Sequence, residues 1–188
     1  MRTISLIVAI VGSVFFSVPA SADDKRRLPT TFQVLEYNSV ASNYLPRPTF
    51  VDAVVKNDEI KELYIRADFI TGSEHTAFTR GMELHWVKKK HLAEYMSGVG
   101  KFLEWEDIAS RDGDMFTKVI GKFGKARFTF HSGSQSTHYL EITKCSACAE
   151  SAYYYDRDGA EGLMKLLRAW QENRLDTLSP SEIEDKYK

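Results

Sequence analysis

The tightest constraint on the fold of this chain is the alternation running through residues 125–142. In KARFTFH (125–131) and HYLEI (138–142), Phe128, Phe130, Leu140 and Ile142 fall on one side, while Arg127, Thr129, His131, Tyr139 and Glu141 fall on the other. A one-residue slip would bury Arg127 and Thr129, so the pairing of these two strands around the polar turn SGSQST is strongly specified. AYYYD (152–156) reads as a third strand, with Tyr153 on the core side and Tyr154 expected opposite Tyr139. The period then changes. In DRDGAEGLMKLLRAWQENR, Ala160, Leu163, Met164, Leu167 and Trp170 form one apolar stripe, and Asp158 and Glu161 stand at capping-box spacing. The pattern implies a C-terminal amphipathic helix packed on an antiparallel β-sheet, which makes the fold class α+β.

Upstream, TFQVLEYNSV (31–40) reads as a strand and ASNYLPRP (41–48) as a proline-containing loop. In IKELYIRADFI (60–70), Leu63, Ile65, Ala67 and Phe69 alternate with Tyr64, Arg66 and Asp68. In GMELHWV (81–87), Met82, Leu84 and Trp86 form the apolar set against Glu83 and His85. A helical middle segment comes next, in which Leu92, Tyr95, Met96, Val99, Phe102 and Leu103 recur at helical spacing and Gly113 is the natural stop. Gly98 and Gly100 weaken a single helix, so two short helices with a bend fit as well as one. FTKVIGKFGK (116–125) fits either a helical turn or a strand.

The N-terminus has a different character. Arg2 precedes an apolar run from Ile4 to Val18, then Pro19 and the small-x-small triplet Ala20-Ser21-Ala22. This is the form of a secretory signal peptide over residues 1–22, cleaved after Ala22, and the run is shorter than the roughly 20 apolar residues of a spanning helix. The expected organisation is a flexible leader over 23–30, a single α+β domain over 31–175 and a polar tail over 176–188. Localisation is expected to be periplasmic or secreted. The chain contains no N-x-S/T sequon, which favours the periplasm. A formal net charge of −1, one unit more negative without Arg2, argues against a nucleic-acid partner.

Cys145 and Cys148 are the only cysteines, spaced C-x-x-C. With Ser146-Ala147 as a hairpin tip, the two would face each other. Zinc fits poorly. His131 and His138 point to opposite faces of the sheet, and a strand from 138 to 145 spans about 23 Å at ~3.3 Å per residue, against ligand distances near 2 Å. Thioredoxin-type exchange wants its thiolate at a helix N-terminus and a proline loop downstream, whereas here a tyrosine run comes next and the only later proline is Pro180. In an oxidising compartment the expected state is a local disulfide, worth about 2 kcal/mol for so small a loop.

Glu104, Glu106 and Asp107 read as the charged side of a helix beside Trp105. Asp156-Arg157-Asp158-Gly159 lacks the spacing of a calcium loop and fits helix capping. No G-x-S-x-G, H-E-x-x-H or phosphate-binding glycine loop occurs, and Ser132, Ser134 and Ser136 have no third partner beside the histidines. The basic groups Lys88-Lys89-Lys90-His91 and Lys118, Lys122, Lys125, Arg127 read as lysines rimming apolar elements. The expectation is therefore a small exported binding, interaction or accessory protein with no catalytic residues, no metal and no cofactor. Its partner would be an exported protein or envelope component, met on a face carrying Arg127, His131, Tyr139 and Tyr154. The alternative is a thiol–disulfide redox protein using the cysteine pair. The mature chain is not expected to span a membrane.

Overall fold

The computed structural model describes residues 24–30, 32–38, 40–71, 79–133, 137–143 and 152–177. The signal-like segment 1–22 and both cysteines lie outside the described residues. Among the described residues, ten strands and two long helices succeed one another in the order β1 (Asp24–Leu28), β2 (Val34–Asn38), β3 (Asn43–Arg47), β4 (Thr49–Lys56), β5 (Glu59–Thr71), β6 (Thr79–Lys88), α1 (Leu92–Asp112), β7 (Phe116–Phe123), β8 (Ala126–Ser132), β9 (His138–Thr143), β10 (Ala152–Tyr155) and α2 (Arg157–Gln171). They build two antiparallel sheets, one in the order β1-β4-β5-β6 and one in the order β3-β2-β10-β9-β8-β7. The fold is α+β.

Period-two alternation explains the inner faces. Val51, Ala53, Leu63, Ile65, Ala67 and Val87 of the four-stranded sheet are buried, as are Phe128, Phe130, Leu140, Ile142, Tyr153 and Tyr155 of the six-stranded one. Both sets belong to a single core, completed by Tyr95, Val99 and Phe102 of α1 and by Leu163, Leu167 and Trp170 of α2. Thr49 ties the sheets together: its hydroxyl accepts from the Val34 N–H (2.8 Å) and donates to the Arg47 carbonyl (2.9 Å). The Trp170 indole N–H donates to the Ile60 carbonyl at 3.1 Å and anchors α2 to β5.

Several expectations are corrected. Residues 24–28 are not a free leader. They form β1 on the edge of the four-stranded sheet, where Leu28 is buried opposite Val51 and Arg27 meets Asp52 at 2.5 Å. Residues 43–47, read as a loop, form β3. Its Pro46 is tolerated because β3 is an edge strand, with no outer neighbour among the described residues to receive an N–H. The β4–β5 hairpin turns at Asn57-Asp58, both at positive φ (52° and 58°), the left-handed pair that a two-residue hairpin of this hand needs.

The β6 faces are reversed from the sequence reading: His85 and Val87 are buried while Trp86 is exposed and packs edge-on against Tyr64 (5.3 Å). The reason is cross-strand parity. Val87 pairs with Leu63 and His85 with Ile65, so the core side of β5 dictates that of β6. His85 sits between the rings of Tyr95 and Tyr153 at 5.6 and 5.7 Å.

α1 is one unbroken helix closed by Gly113 at φ 72°. Gly98 does not bend it but brings it close to the sheet: a Cβ there would lie 2.4 Å from Phe123 and 2.6 Å from Phe128. Residues 116–123 are strand, with the register shifting between Val119 and Gly121. The cap of α2 is Asp156, not Asp158. Its carboxylate accepts from the Gly159 N–H at 2.8 Å. Among the described residues no helix is long and apolar enough to cross a membrane.

Candidate functional site

The helices cover one face of the six-stranded sheet. Tyr95 meets Phe128 at 5.2 Å, Phe102 meets Phe130 at 5.6 Å and Trp105 meets Phe130 at 6.0 Å. Alternation sends the intervening residues to the other face. Across the strands that face carries Tyr44 and Tyr37, then Leu35, then Tyr154, then Tyr139 and Glu141, then Arg127, Thr129 and His131, then Thr117 and Val119.

Four tyrosines from four strands meet there. Tyr44 is the hub, with ring centroids 5.3 Å from Tyr37, 4.1 Å from Tyr139 and 4.8 Å from Tyr154. Tyr37 is about half exposed, at 51%. Ring packing covers the carbon skeletons but leaves the phenol oxygens without hydrogen bonds among the described residues. Burial, then Glu141 and then Tyr44, push the Tyr154 phenol up to about 12. Burial, followed by Tyr139 and Glu141, raises Tyr44, and burial followed by Asp156 raises Tyr139. In each case negative charge nearby disfavours the phenolate.

Beside the rings, His131 bridges three strands. Its Nε2 lies 2.5 Å from a Glu141 carboxylate oxygen and its Nδ1 lies 3.2 Å from the Thr117 hydroxyl. The row has the chemical order of a nucleophile, base and orienting acid. It lies flat on ladder-paired strands, however, whose backbone donors are committed to neighbouring strands rather than converging on a reacting oxygen. It fixes a hydrogen-bonded His131–Glu141 pair on the surface.

Each residue proposed from sequence can now be located. Arg127, His131, Tyr139 and Tyr154 all share the open face, and His131 lies directly opposite Tyr139 in the ladder and 6.2 Å from the Tyr154 ring. Arg127 is set apart from the rings, opposite Thr143, with its Nε buried and unpartnered among the described residues. Tyr154 stands opposite Glu141 instead of Tyr139, two residues along. That shift preserves the faces while aligning Tyr153 with Ile142 and Tyr155 with Leu140 in the core. The cysteines themselves lie outside the described residues.

Sequence reasoning missed Tyr37 and Tyr44. Their signal was the alternation of VLEYN against the edge segment NYLPR, obscured by Pro46. His131 and His138 do point to opposite faces: His138 is buried and stacks on Phe130 (5.9 Å, 18°). Among the described residues no group of three or more His, Cys, Asp or Glu is placed to hold a metal ion.

The remaining charged motifs are structural. Glu106, buried, and Asp107 both accept from Arg157 of α2, the latter at 2.6 Å, and clamp the helices together. The hydrogen bond to Asp107, and after it that to Glu106, hold the guanidinium above even its ordinary range. Lys88 and Lys89 pair with Glu62 and Glu59, and His91 with Glu94. The second basic group splits between faces: Lys118 sits over the Trp105 ring at 4.8 Å, while Lys122 stands opposite Arg127 in the ladder on the open side.

Fold and site together define a two-sheet α+β domain with one tyrosine-lined sheet face that no helix covers among the described residues. No family model, no curated protein and no solved structure matches the chain.

Proposed function

We propose that this chain is an exported, non-catalytic binding or accessory protein that docks a partner protein of the same compartment on the open face of its six-stranded sheet. The observation that carries the reading is the contiguous cluster of Tyr37, Tyr44, Tyr139 and Tyr154, with the His131–Glu141 pair at its edge. Tyrosine brings a large rigid ring with a polar tip, which suits a surface that must be wet alone and dry when bound.

Export through residues 1–22 and a local Cys145–Cys148 disulfide belong to the same proposal. The elements C-terminal to the pair support a structural role for it. β10 stands between the cysteines and α2, and the α2 N-terminus is capped by Asp156, so the dipole of that helix is not offered to a thiolate.

The test is site-specific photo-crosslinking in the source cells, with a benzophenone amino acid at position 154 or at position 86. A discrete crosslinked protein from 154 and none from 86 is the expected result. Unchanged partner capture by a folded Tyr44→Ala/Tyr154→Ala variant would overturn the reading. Thiol trapping tests the cysteines separately: a reduction potential below about −300 mV marks an inert staple, and one near −120 to −200 mV marks exchange chemistry.

A further inference from the structure

Where the tyrosine face meets the N-terminal end of α2, the surface sinks into a cleft of about 820 Å³. Tyr44, Tyr139, Phe32, Phe50, Pro46 and Pro48 supply apolar and aromatic walls, and Glu106, Asp156 and Asp158 supply carboxylates. A cleft of this size and lining lies within the range of ligand sites, which span roughly 300–1,000 Å³.

The charges decide what it accepts. Among the described residues Arg157 is the only lysine or arginine lining the cleft, and it is committed to Glu106, Asp107 and Glu161. Asp158 is exposed and forms no ion pair among the described residues. A helix N-terminus ordinarily attracts an anion, but here the Asp156 carboxylate already takes the Gly159 N–H, so a phosphate or carboxylate ligand would meet negative charge at close range. A purely apolar ligand would strand the rim carboxylates without water.

A second feature points to a ligand. His138 lines the cleft at only 6% exposure, and neither ring nitrogen has a hydrogen-bond partner among the described residues. The protein keeps a buried imidazole against this cleft with its hydrogen-bonding capacity unused, which is uncommon for an interior polar group.

We infer that the cleft is a pocket for a basic side chain, an arginine or lysine carried on an extended segment of the docked partner. The cation would lie between the Tyr44 and Tyr139 rings and the carboxylates of Asp156 and Asp158. Aromatic faces attract a guanidinium or ammonium group by their quadrupole, and attract it more strongly when water is excluded. Burial, and after it the Asp156 carboxylate, raises the Tyr139 phenol, so the field of that carboxylate reaches this ring. The inference rests on the docking face proposed for the tyrosine cluster and gives that face its specificity.

The test is an NMR titration of the full chain, with tyrosine rings labelled, by Nα-acetyl-arginine methylamide, its lysine counterpart and its glutamate counterpart. Saturable shifts at Tyr44 and Tyr139 with the two cations, and none with the glutamate compound, are expected. Asp158→Asn, an exposed change that leaves the fold intact, should weaken cation binding about two- to fivefold, and Tyr139→Ala about tenfold. No saturable shift from either cation, equal shifts from the glutamate compound, or full binding by Asp158→Asn would overturn the inference. The outcomes separate the two readings. Cation binding without crosslinks from position 154 condemns the docking face and with it the docked partner as the source of the cation, whereas crosslinks without cation binding condemn the pocket alone.

Discussion

The two faces of the six-stranded sheet are made from alternate residues of the same strands, yet they have different work. Toward the helices stand Phe128, Phe130, Leu140, Ile142, Tyr153 and Tyr155, each at most 1% exposed. Toward solvent stand Tyr37, Tyr44, Tyr139, Tyr154 and the His131–Glu141 pair, which pack on one another. Both faces are rich in aromatic residues, so aromatic content does not distinguish core from surface here. What distinguishes them is the partner each ring meets. Stability should therefore be concentrated on one face and recognition on the other.

The comparison breaks most sharply at Phe130, whose ring meets Phe102, Trp105, Phe116 and His138. Phe130→Ala should cost about 3–5 kcal/mol, read as a lowered urea midpoint with an unchanged slope. Gly98→Ala attacks the same face from the helix side by forcing a methyl group into Phe123 and Phe128. It should cost about 1–3 kcal/mol and alter the near-ultraviolet dichroism of the packed rings, although alanine is the better helix former.

Asp156→Ala removes the cap of α2 and should cost about 1 kcal/mol by the same urea assay. On the open face, Tyr154→Ala should cost less than about 1 kcal/mol of stability while abolishing partner crosslinking from position 44. A larger loss of stability there would show that the tyrosine cluster is a second core.

The smallest effect is in alkali. Unfolded tyrosine ionises near 10 and folded Tyr154 near 12, so between those values the native state holds a proton that the unfolded state has released. The contribution is therefore intact below about pH 10 and declines as pH rises towards 12. Buried Tyr95 and Tyr155 are raised in the same direction, chiefly by burial, and contribute alongside it. The difference between the native chain and Tyr154→Phe, measured by urea unfolding from pH 9 upward, isolates the open-face share.

Much of this was legible in the residues because short-range periodicity is a backbone property. The 128/130 and 140/142 alternation, the stripe Ala160, Leu163, Met164, Leu167, Trp170 and the stop at Gly113 each arise from the geometry of one strand or one helix. Half of the candidate site was legible for the same reason: His131, Tyr139 and Tyr154 had to oppose the core side. The other half was not. Tyr37 and Tyr44 lie about a hundred residues away in the chain, and only the insertion of β10 beside β2 brings them to Tyr139 and Tyr154.

Sequence by itself determined the fold class, the faces of β8 and β9, and which side of the last helix is apolar. Tertiary structure decided which strands lie side by side, that β6 turns His85 inward and Trp86 outward, that residues 24–28 complete a sheet, and that Gly98 serves packing rather than a bend. The physical reason is common to all four. Alternation states which residues share a face, but the neighbour across the ladder, and the core that neighbour already faces, choose which face is buried.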